Sequence, residues 1–155
     1  MHVTEVTGQK KVPVIVEVLE KVDLRKITKA RFFFKWEQIY NEATLYKLVF
    51  ADKPIIIGLM ALVDFPSEYR IEIKLLAASA DNVGKQKYYE GIAGCLITYA
   101  VKQSLEKYGS LACVSLKPKT EIRQHYINRY GMQTAGQQLF LEDAALFNMI
   151  NIYDI

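Results

Sequence analysis

The chain has 155 residues, of which 51% are hydrophobic and 24% are charged; this is the size and composition of one folded domain and excludes a disordered chain. The net charge of +3, from 20 basic and 17 acidic residues, is too close to balance to indicate a nucleic-acid-binding protein by itself. With only two cysteines and no apolar run longer than Pro54 to Val63, a disulfide scaffold and a membrane span are also excluded.

No basic segment followed by an apolar one opens the sequence, so we expect no secretory signal and a cytoplasmic protein. The histidines are His2 and His125, and no C-x-x-C pair is present. Because zinc sites use four ligands at short paired spacings, no metal site is predicted. Cys95 and Cys113 are expected to be buried as small apolar residues. No linker or repeat divides the chain, so residues 1–155 are read as a single domain.

The first predicted strand runs from Val12 to Leu19, where valines alternate with other residues. Asp23 is a candidate cap for a helix from Leu24 to Tyr40, in which Phe32 and Trp36 would begin an apolar stripe. Alternation within the Phe32-Phe33-Phe34 run would also fit extended chain. For this aromatic block we favour packing of a helix on the sheet over the lining of a substrate pocket.

Three strands with short connections come next. They are predicted at Tyr46 to Phe50, Ile55 to Val63 and Tyr69 to Ala77, with turns at 51–54 and 64–68. Connections this short predict an antiparallel meander.

A loop from Ser79 to Tyr89 leads into a long predicted helix from Gly91 to Lys107, which Gly109 ends. The following β-type run, Leu111 to Leu116, is joined to the meander across this helix. A crossover of that kind predicts that the run pairs in parallel with the third meander strand.

The last third alternates helices with a short strand. Thr120 is a candidate cap for a helix from Glu121 to Tyr130, and a strand is predicted at Leu139 to Leu141. The apolar stripe of the closing helix could pack on the sheet of this chain or in a homodimer; it consists of Leu146, Met149, Ile150 and Tyr153. The whole order indicates the α/β (α+β) class, with a mixed sheet covered by helices.

The loop before the long helix carries the clearest chemical signal. The first helical turn leaves backbone N–H groups unpaired and partially positive, which suits an anion. Gly91 and Gly94 would let a ligand approach the backbone, and Lys85 and Lys87 add positive charge. The alternative is that both glycines serve tight packing and both lysines are solvated. Neither the Walker nor the Rossmann glycine pattern is present.

The order of elements and three short stretches resemble the GNAT family of acyl-CoA-dependent N-acyltransferases. Tyr88-Tyr89-Glu90-Gly91-Ile92-Ala93 is similar to the family's R/Q-x-x-G-x-G/A motif at the start of the long helix. Residues 55–60 look like the family's glycine-bearing third strand, and residues 125–132 look like its "fYeklGF" segment. The resemblance spans about Tyr46 to Glu142.

This resemblance implies a mostly antiparallel sheet in which the two strands flanking the long helix splay apart around the pantetheine arm of acetyl-CoA, used as co-substrate. The arm would pair with the backbone of Leu75, Leu76 and Ala77. The pyrophosphate would lie on the amides of the first helical turn, which belong to Gly91, Ile92, Ala93 and Gly94. Since Tyr88 stands where the family has Arg or Gln, one phosphate contact would either be lost or be supplied by Lys85 or Lys87.

Two side chains are candidates for the chemistry of acyl transfer. By the same resemblance, Tyr126 would protonate the departing thiolate; its alternative role is core packing. Glu72, on the strand before the loop, is the candidate base for the amine. Its alternative is a solvent-facing residue paired with Arg70 or Lys74.

The leading hypothesis is therefore an N-acetyltransferase that moves an acetyl group directly from acetyl-CoA to an unidentified amine. The alternative is a non-catalytic CoA-binding or protein-interaction module on the same fold. Nucleic-acid binding through a local lysine cluster is less favoured; that cluster comprises Lys85, Lys87, Lys117 and Lys119.

Overall fold

The computed structural model describes residues 1–154 and contains one mixed sheet with helices on both faces. Its strands are β1 His2–Glu5, β2 Lys10–Val18, β3 Thr44–Phe50, β4 Lys53–Phe65, β5 Arg70–Ala78, β6 Tyr89–Glu90, β7 Cys113–Leu116, β8 Gln133–Ala135 and β9 Gln138–Glu142. Its α-helices are α1 Lys29–Phe32, α2 Ile92–Tyr108, α3 Thr120–Tyr130 and α4 Ala144–Tyr153.

The sheet order is β6-β1-β2-β3-β4-β5-β7-β9-β8. Strands β3 to β5 form the predicted antiparallel meander, and β2 adds to it by pairing antiparallel with β3. Strand β7 pairs in parallel with β5, as the crossover through α2 requires. The predicted fold class and the antiparallel character of the sheet are confirmed. Three strands were missed: β1 and β8 are short and border tight turns, and β6 has only two residues.

The predicted helix from Leu24 to Tyr40 is wrong. The segment instead forms a 3-10 helix at Lys21–Lys26, the four-residue α1 and a second 3-10 helix at Trp36–Ile39. Phe33 has a positive φ of 70° and ends α1, so the chain cannot continue as one helix. Phe32 and Trp36 are still fully buried, because both pack from these short turns against the sheet.

Asp23 does not cap a helix either. It lies inside the first 3-10 helix, where it accepts the Glu20 N–H at 2.9 Å and binds Lys47 Nζ at 2.9 Å. Burial alone would raise the pKa of this carboxyl, but the hydrogen bond from Lys47 lowers it below its usual value. The pair fastens the segment before α1 to β3. Thr28 is the residue that caps α1, accepting from the Arg31 N–H.

Two apolar clusters fill the two sides of the sheet. The larger one joins the sheet to α2 and α4, and the smaller one joins it to α1 and its neighbouring turns. Cys95 is buried in the larger cluster, and burial raises the pKa of its thiol to about 12, whereas Cys113 is half-buried.

Thr120 is the first residue of α3 and not its cap, since the cap position is held by Lys119. Within residues 1–154, none of the helices has the length and apolar character that crossing a bilayer requires.

Candidate functional site

The parallel strands β5 and β7 separate halfway along β5. They are in register only from Arg70–Cys113 to Ile73–Leu116, while β5 continues to Ala78 with β4 on its other edge. Residues 74–78 therefore have no strand partner on the β7 side within the described part of the chain. Backbone N–H and C=O groups along such an edge need water or a ligand as a partner.

A β-bulge lies where the strands part. Ala61 faces Leu75 and Leu62 faces Ile73, so Lys74 is the extra residue. An extra residue reverses the side-chain alternation and bends the strand. Accordingly, Ile73 packs into the cluster under α2, whereas Leu75 packs into the cluster under α1. The bulge thus turns the free part of β5 away from β7.

The opening between the strands is a groove of about 730 Å³. This volume lies within the range of small-molecule sites, roughly 300–1,000 Å³. The groove has a β5 wall, a wall from the end of β7 and α3, and an aromatic wall after α1. Its lining residues are Phe33, Phe34, Ile73, Lys74, Leu75, Leu76, Ala77, Ala78, Val83, Leu116, Lys117, Pro118, Lys119, Ile122 and Tyr126.

The aromatic wall depends on the left-handed turn that ends α1. At Phe33 the chain adopts a φ of 70°, which is uncommon for a bulky residue. The turn leaves Phe33 44% exposed and directs it, with Phe34, toward the groove, while Phe32 stays in the core. The aromatic block is thus divided between core packing and groove lining.

Tyr126 lines the groove from α3 and is half-buried. Burial raises the pKa of its phenol, so the proton stays on the oxygen at neutral pH. The ring lies 5.8 Å from the ring of Tyr130 and 5.9 Å from that of the exposed His125. The position thus combines a packed ring with access to the groove.

Glu72 lies on β5 two residues before the bulge, where β5 and β7 are still paired. It is half-buried and is not among the residues that line the groove. Arg70 does not pair with it: the guanidinium binds Glu68 and the Ser115 hydroxyl. Leu75, Leu76 and Ala77, by contrast, lie on the free edge as expected. The structure brings these three together with Tyr126 and leaves Glu72 outside.

The start of α2 lies at the far end of β5 and is surrounded by other elements. Gly91 precedes the helix with a φ of 96°, a left-handed conformation that glycine adopts easily. Strand β1 passes beside it and pairs with β6. Tyr89, the last residue of the predicted loop, is therefore held with Glu90 in a strand. Ile92 and Gly94 are buried, and Ala93 is half-buried.

Tyr153, near the end of α4, packs directly on Gly94. A Cβ on Gly94 would clash with the Tyr153 ring. The absent side chain at Gly94 therefore makes room for an aromatic residue of the same chain. A second pocket of about 210 Å³ remains beside this contact; its lining residues are His2, Thr4, Lys11, Glu90, Gly91, Arg129, Ile152 and Tyr153.

The other predicted phosphate contacts lie in the loop before β6. Lys85 is exposed, Lys87 Nζ lies 3.7 Å from the Glu90 carboxylate, and Tyr88 is 62% exposed. The Tyr88 carbonyl accepts the Val6 N–H at 2.9 Å, which ties the loop to the chain after β1. Lys85, Lys87 and Tyr88 line neither the groove nor the second pocket.

Sequence reasoning missed Lys74 and Val83 in the groove and Tyr153 at the helix start. Lys74 reads as the polar member of an alternating strand, because a bulge has no signal in this sequence. Tyr153 was visible only as part of an apolar stripe. A glycine in the first turn of a long helix was the available hint that something packs closely there.

No protein-family model matches the sequence, and no curated protein sequence matches it. Solved structures do match. A spermidine N-acetyltransferase from Vibrio cholerae, in complex with CoA and spermine, superposes with a TM-score of 0.66 at 18% identity, over 88% of this chain and 99% of that one.

Two further matches have the same architecture. A GNAT family acetyltransferase from Elizabethkingia anophelis with acetyl-CoA bound has a TM-score of 0.59 at 13% identity, over 84% of this chain and 98% of that one. A Bacillus subtilis acetyltransferase in complex with CoA has a TM-score of 0.56 at 12% identity, over 86% and 99%. The chain therefore has the fold of the GNAT acetyltransferases, which confirms the resemblance at the level of fold.

Proposed function

We propose that this protein is an N-acyltransferase that transfers an acyl group, in the first instance the acetyl group of acetyl-CoA, directly to an amine. The observation that carries the proposal is the unpaired edge of β5 from Lys74 to Ala78, which faces Tyr126 across an apolar groove. The acetyltransferase fold supports it.

The groove fits the thioester arm of an acyl-CoA. That arm is a narrow chain with amide groups, and an unpaired strand edge offers alternating donors and acceptors to amides. Leu75, Leu76 and Ala77 would hold the arm by their backbone, while Leu116 and Ile122 would exclude water from its methylene groups. The acyl-CoA supplies an activated carbonyl carbon.

Tyr126 would act at the sulfur. As the amine nitrogen bonds to the carbonyl carbon and the carbon–sulfur bond breaks, negative charge develops on the sulfur. A phenol held in the groove donates a hydrogen bond to the sulfur and stabilises that charge. The second proton that the nitrogen loses as the amide forms would pass to the sulfur through the phenol or water, so that CoA leaves as the free thiol. The ammonium proton of the acceptor must leave before attack, and water at the open groove can take it. Glu72 would assist only through such water, since it lies outside the groove lining.

The diphosphate of the cofactor would lie at the start of α2, near Gly91, Ile92, Ala93 and Gly94. Unpaired amides and the helix dipole support binding there. Lys11 and Arg129 line the adjacent pocket and add positive charge, a role that the sequence assigns to Lys85 and Lys87. Since Tyr153 packs on Gly94, the phosphates would reach the amides beside that ring.

Isothermal titration with acetyl-CoA, followed by a thiol-release assay over an amine panel, tests the proposal. We expect saturable 1:1 binding and thiol release with at least one amine. Absence of binding at millimolar acetyl-CoA would refute it.

The alternative, a non-catalytic CoA-binding or protein-interaction module, is favoured by one observation: Tyr153 of the same chain occupies the space beside Gly94 at the start of α2. Binding of acetyl-CoA without thiol release for any amine would support this second function.

A further inference from the structure

The charged residues that line the groove all have the same sign. They are Lys74, Lys117 and Lys119, and no aspartate or glutamate lines the groove. All three lysines are exposed, and none is among the ion-paired groups found within residues 1–154. The groove therefore presents uncompensated positive charge over an apolar floor.

Two of these lysines lie where β5 and β7 part. Lys74 is the bulge residue that follows Ile73, and Lys117 follows Leu116, the register partner of Ile73. The two side chains thus leave opposite walls at the same level. This level is four residues from Ala78, or roughly 13 Å along the strand, and Ala78 is next to Gly58, which packs on Ile92 at the start of α2.

That separation assigns the lysines to the acceptor. If the phosphates lie at the start of α2 and the thioester arm follows β5, the acyl carbon reaches the Lys74 end. The amine must enter there, beside the aromatic wall of Phe33 and Phe34. Lysines at this place meet the acceptor and not the diphosphate.

A polycationic acceptor fits this place poorly. Like charges brought together in a partly desolvated groove oppose binding, and complementary charges favour it. The spermidine N-acetyltransferase with the same fold is crystallised with spermine. A shared fold does not imply a shared acceptor, so this match gives no reason to expect a polyamine here. Positive surroundings also lower the pKa of a bound amine by disfavouring its ammonium form. The amine would then lose its proton more easily, in a groove that no carboxylate lines.

We infer that the acceptor is an amine that also carries a negatively charged group, a carboxylate or a phosphate, held by Lys74 and Lys117, with an apolar part against Phe33 and Phe34. This inference rests on the proposed function and specifies its acceptor class. Lys119 is farther along the β7 wall and is expected to contribute less.

The test uses acceptors matched in their amine and ring. Thiol release from acetyl-CoA is measured with L-phenylalanine against 2-phenylethylamine, and with O-phosphotyramine against tyramine; spermidine is the polycation. We expect kcat/KM to favour at least one anionic member by about tenfold or more over its partner. The pair that responds distinguishes carboxylate from phosphate. Preference for spermidine or for both uncharged-tail amines would overturn the inference while leaving the acyltransferase proposal intact.

Charge-reversal variants locate the effect. Lys74→Glu and Lys117→Glu should each remove the preference for the anionic acceptor and leave the KM for acetyl-CoA within about twofold. Lys21→Glu, at an exposed lysine outside the groove, is the matched control. A rise in the KM for acetyl-CoA with unchanged acceptor preference would show that the lysines serve the cofactor, and would overturn the inference.

A binding measurement keeps the inference testable without turnover. N-acetyl-L-phenylalanine and N-(2-phenylethyl)acetamide differ only in the carboxylate and can be titrated by calorimetry. Tighter binding of the acid, lost in Lys74→Glu, supports the inference. Equal binding or no binding of the acid contradicts it, whereas failure of the proposed function itself is read from the separate acetyl-CoA titration.

Discussion

The two ends of the proposed cofactor site differ in how open the chain leaves them. Beside Tyr126, β5 and β7 part and leave a groove of about 730 Å³. At the start of α2, the chain adds β1 on one side and α4 on the other, and only about 210 Å³ remains open. The open end is formed by β5, β7, α3 and the turn after α1, whereas β1 and α4, the first strand and the last helix, cover the other end. These two elements thus restrict access to the start of α2, while the groove beside Tyr126 stays open.

The largest expected effect is a loss of catalytic rate at the open end without a loss of acetyl-CoA binding. Tyr126→Phe should lower kcat by about 10²-fold, near 2.7 kcal/mol, because the hydrogen bond to the departing sulfur is lost. The affinity for acetyl-CoA, measured by calorimetry, should change little. Tyr130→Phe, at a neighbouring half-buried phenol that does not line the groove, is the control. Unchanged kcat in Tyr126→Phe would remove this residue from the mechanism.

The next effect concerns the covered end. Gly94→Ala should lower the free energy of unfolding by about 2 kcal/mol, since the added methyl group forces Tyr153 and α4 to shift. In a Tyr153→Ala background the same substitution should be neutral or stabilise by up to about 1 kcal/mol, because alanine is the better helix former. Chemical denaturation of the four proteins measures this coupling.

Gly8→Ala is the control for that cycle, since a Cβ there would meet only a Glu5 side-chain oxygen at 3.8 Å. Its unfolding free energy should stay close to that of the unmodified chain. A cost of Gly94→Ala that is the same with and without Tyr153 would show that the ring does not define the covered end.

The smallest expected effect asks whether the cover limits binding. Tyr153→Ala removes the ring beside Gly91 and Gly94 and should tighten acetyl-CoA binding about threefold, or roughly 0.7 kcal/mol. Calorimetry measures it, with Phe147→Ala as the control, because Phe147 lies on the same helix and is 55% exposed. Weaker binding in Tyr153→Ala would mean that the tyrosine contacts the cofactor, and the two ends would then form one continuous site.

Most of the central fold follows from the sequence. Alternation in β4 and β5, short turns and one crossover helix determine the meander and the parallel β7, so Leu75, Leu76 and Ala77 are predicted on the correct strand. The segment from 24 to 40 was mispredicted because Phe32 and Trp36 have helical spacing and are buried, yet the left-handed turn at Phe33 lies between them. The spacing of apolar residues indicates which side chains are buried, but it cannot exclude a left-handed turn between them.

The positions of some candidate site residues could likewise be predicted from local sequence signals, and others could not. The helix that carries Tyr126 could be predicted because recognisable signals bound it, with Gly131 at its end. The bulge at Lys74 and the contact of Tyr153 with Gly94 depend on register and on packing between distant segments. Neither leaves a local pattern. Roles for Glu72, Lys85, Lys87 and Tyr88 stay predictions.

The unpaired edge of β5 is proposed to hold an acyl-CoA. Amide NMR of the ¹⁵N-labelled protein titrated with acetyl-CoA tests it most directly. We expect the largest shift changes at residues 74–78, Lys117 and Lys119, with smaller ones at residues 91–94. Saturating binding that leaves residues 74–78 unchanged, or no shift anywhere at millimolar acetyl-CoA, would contradict it.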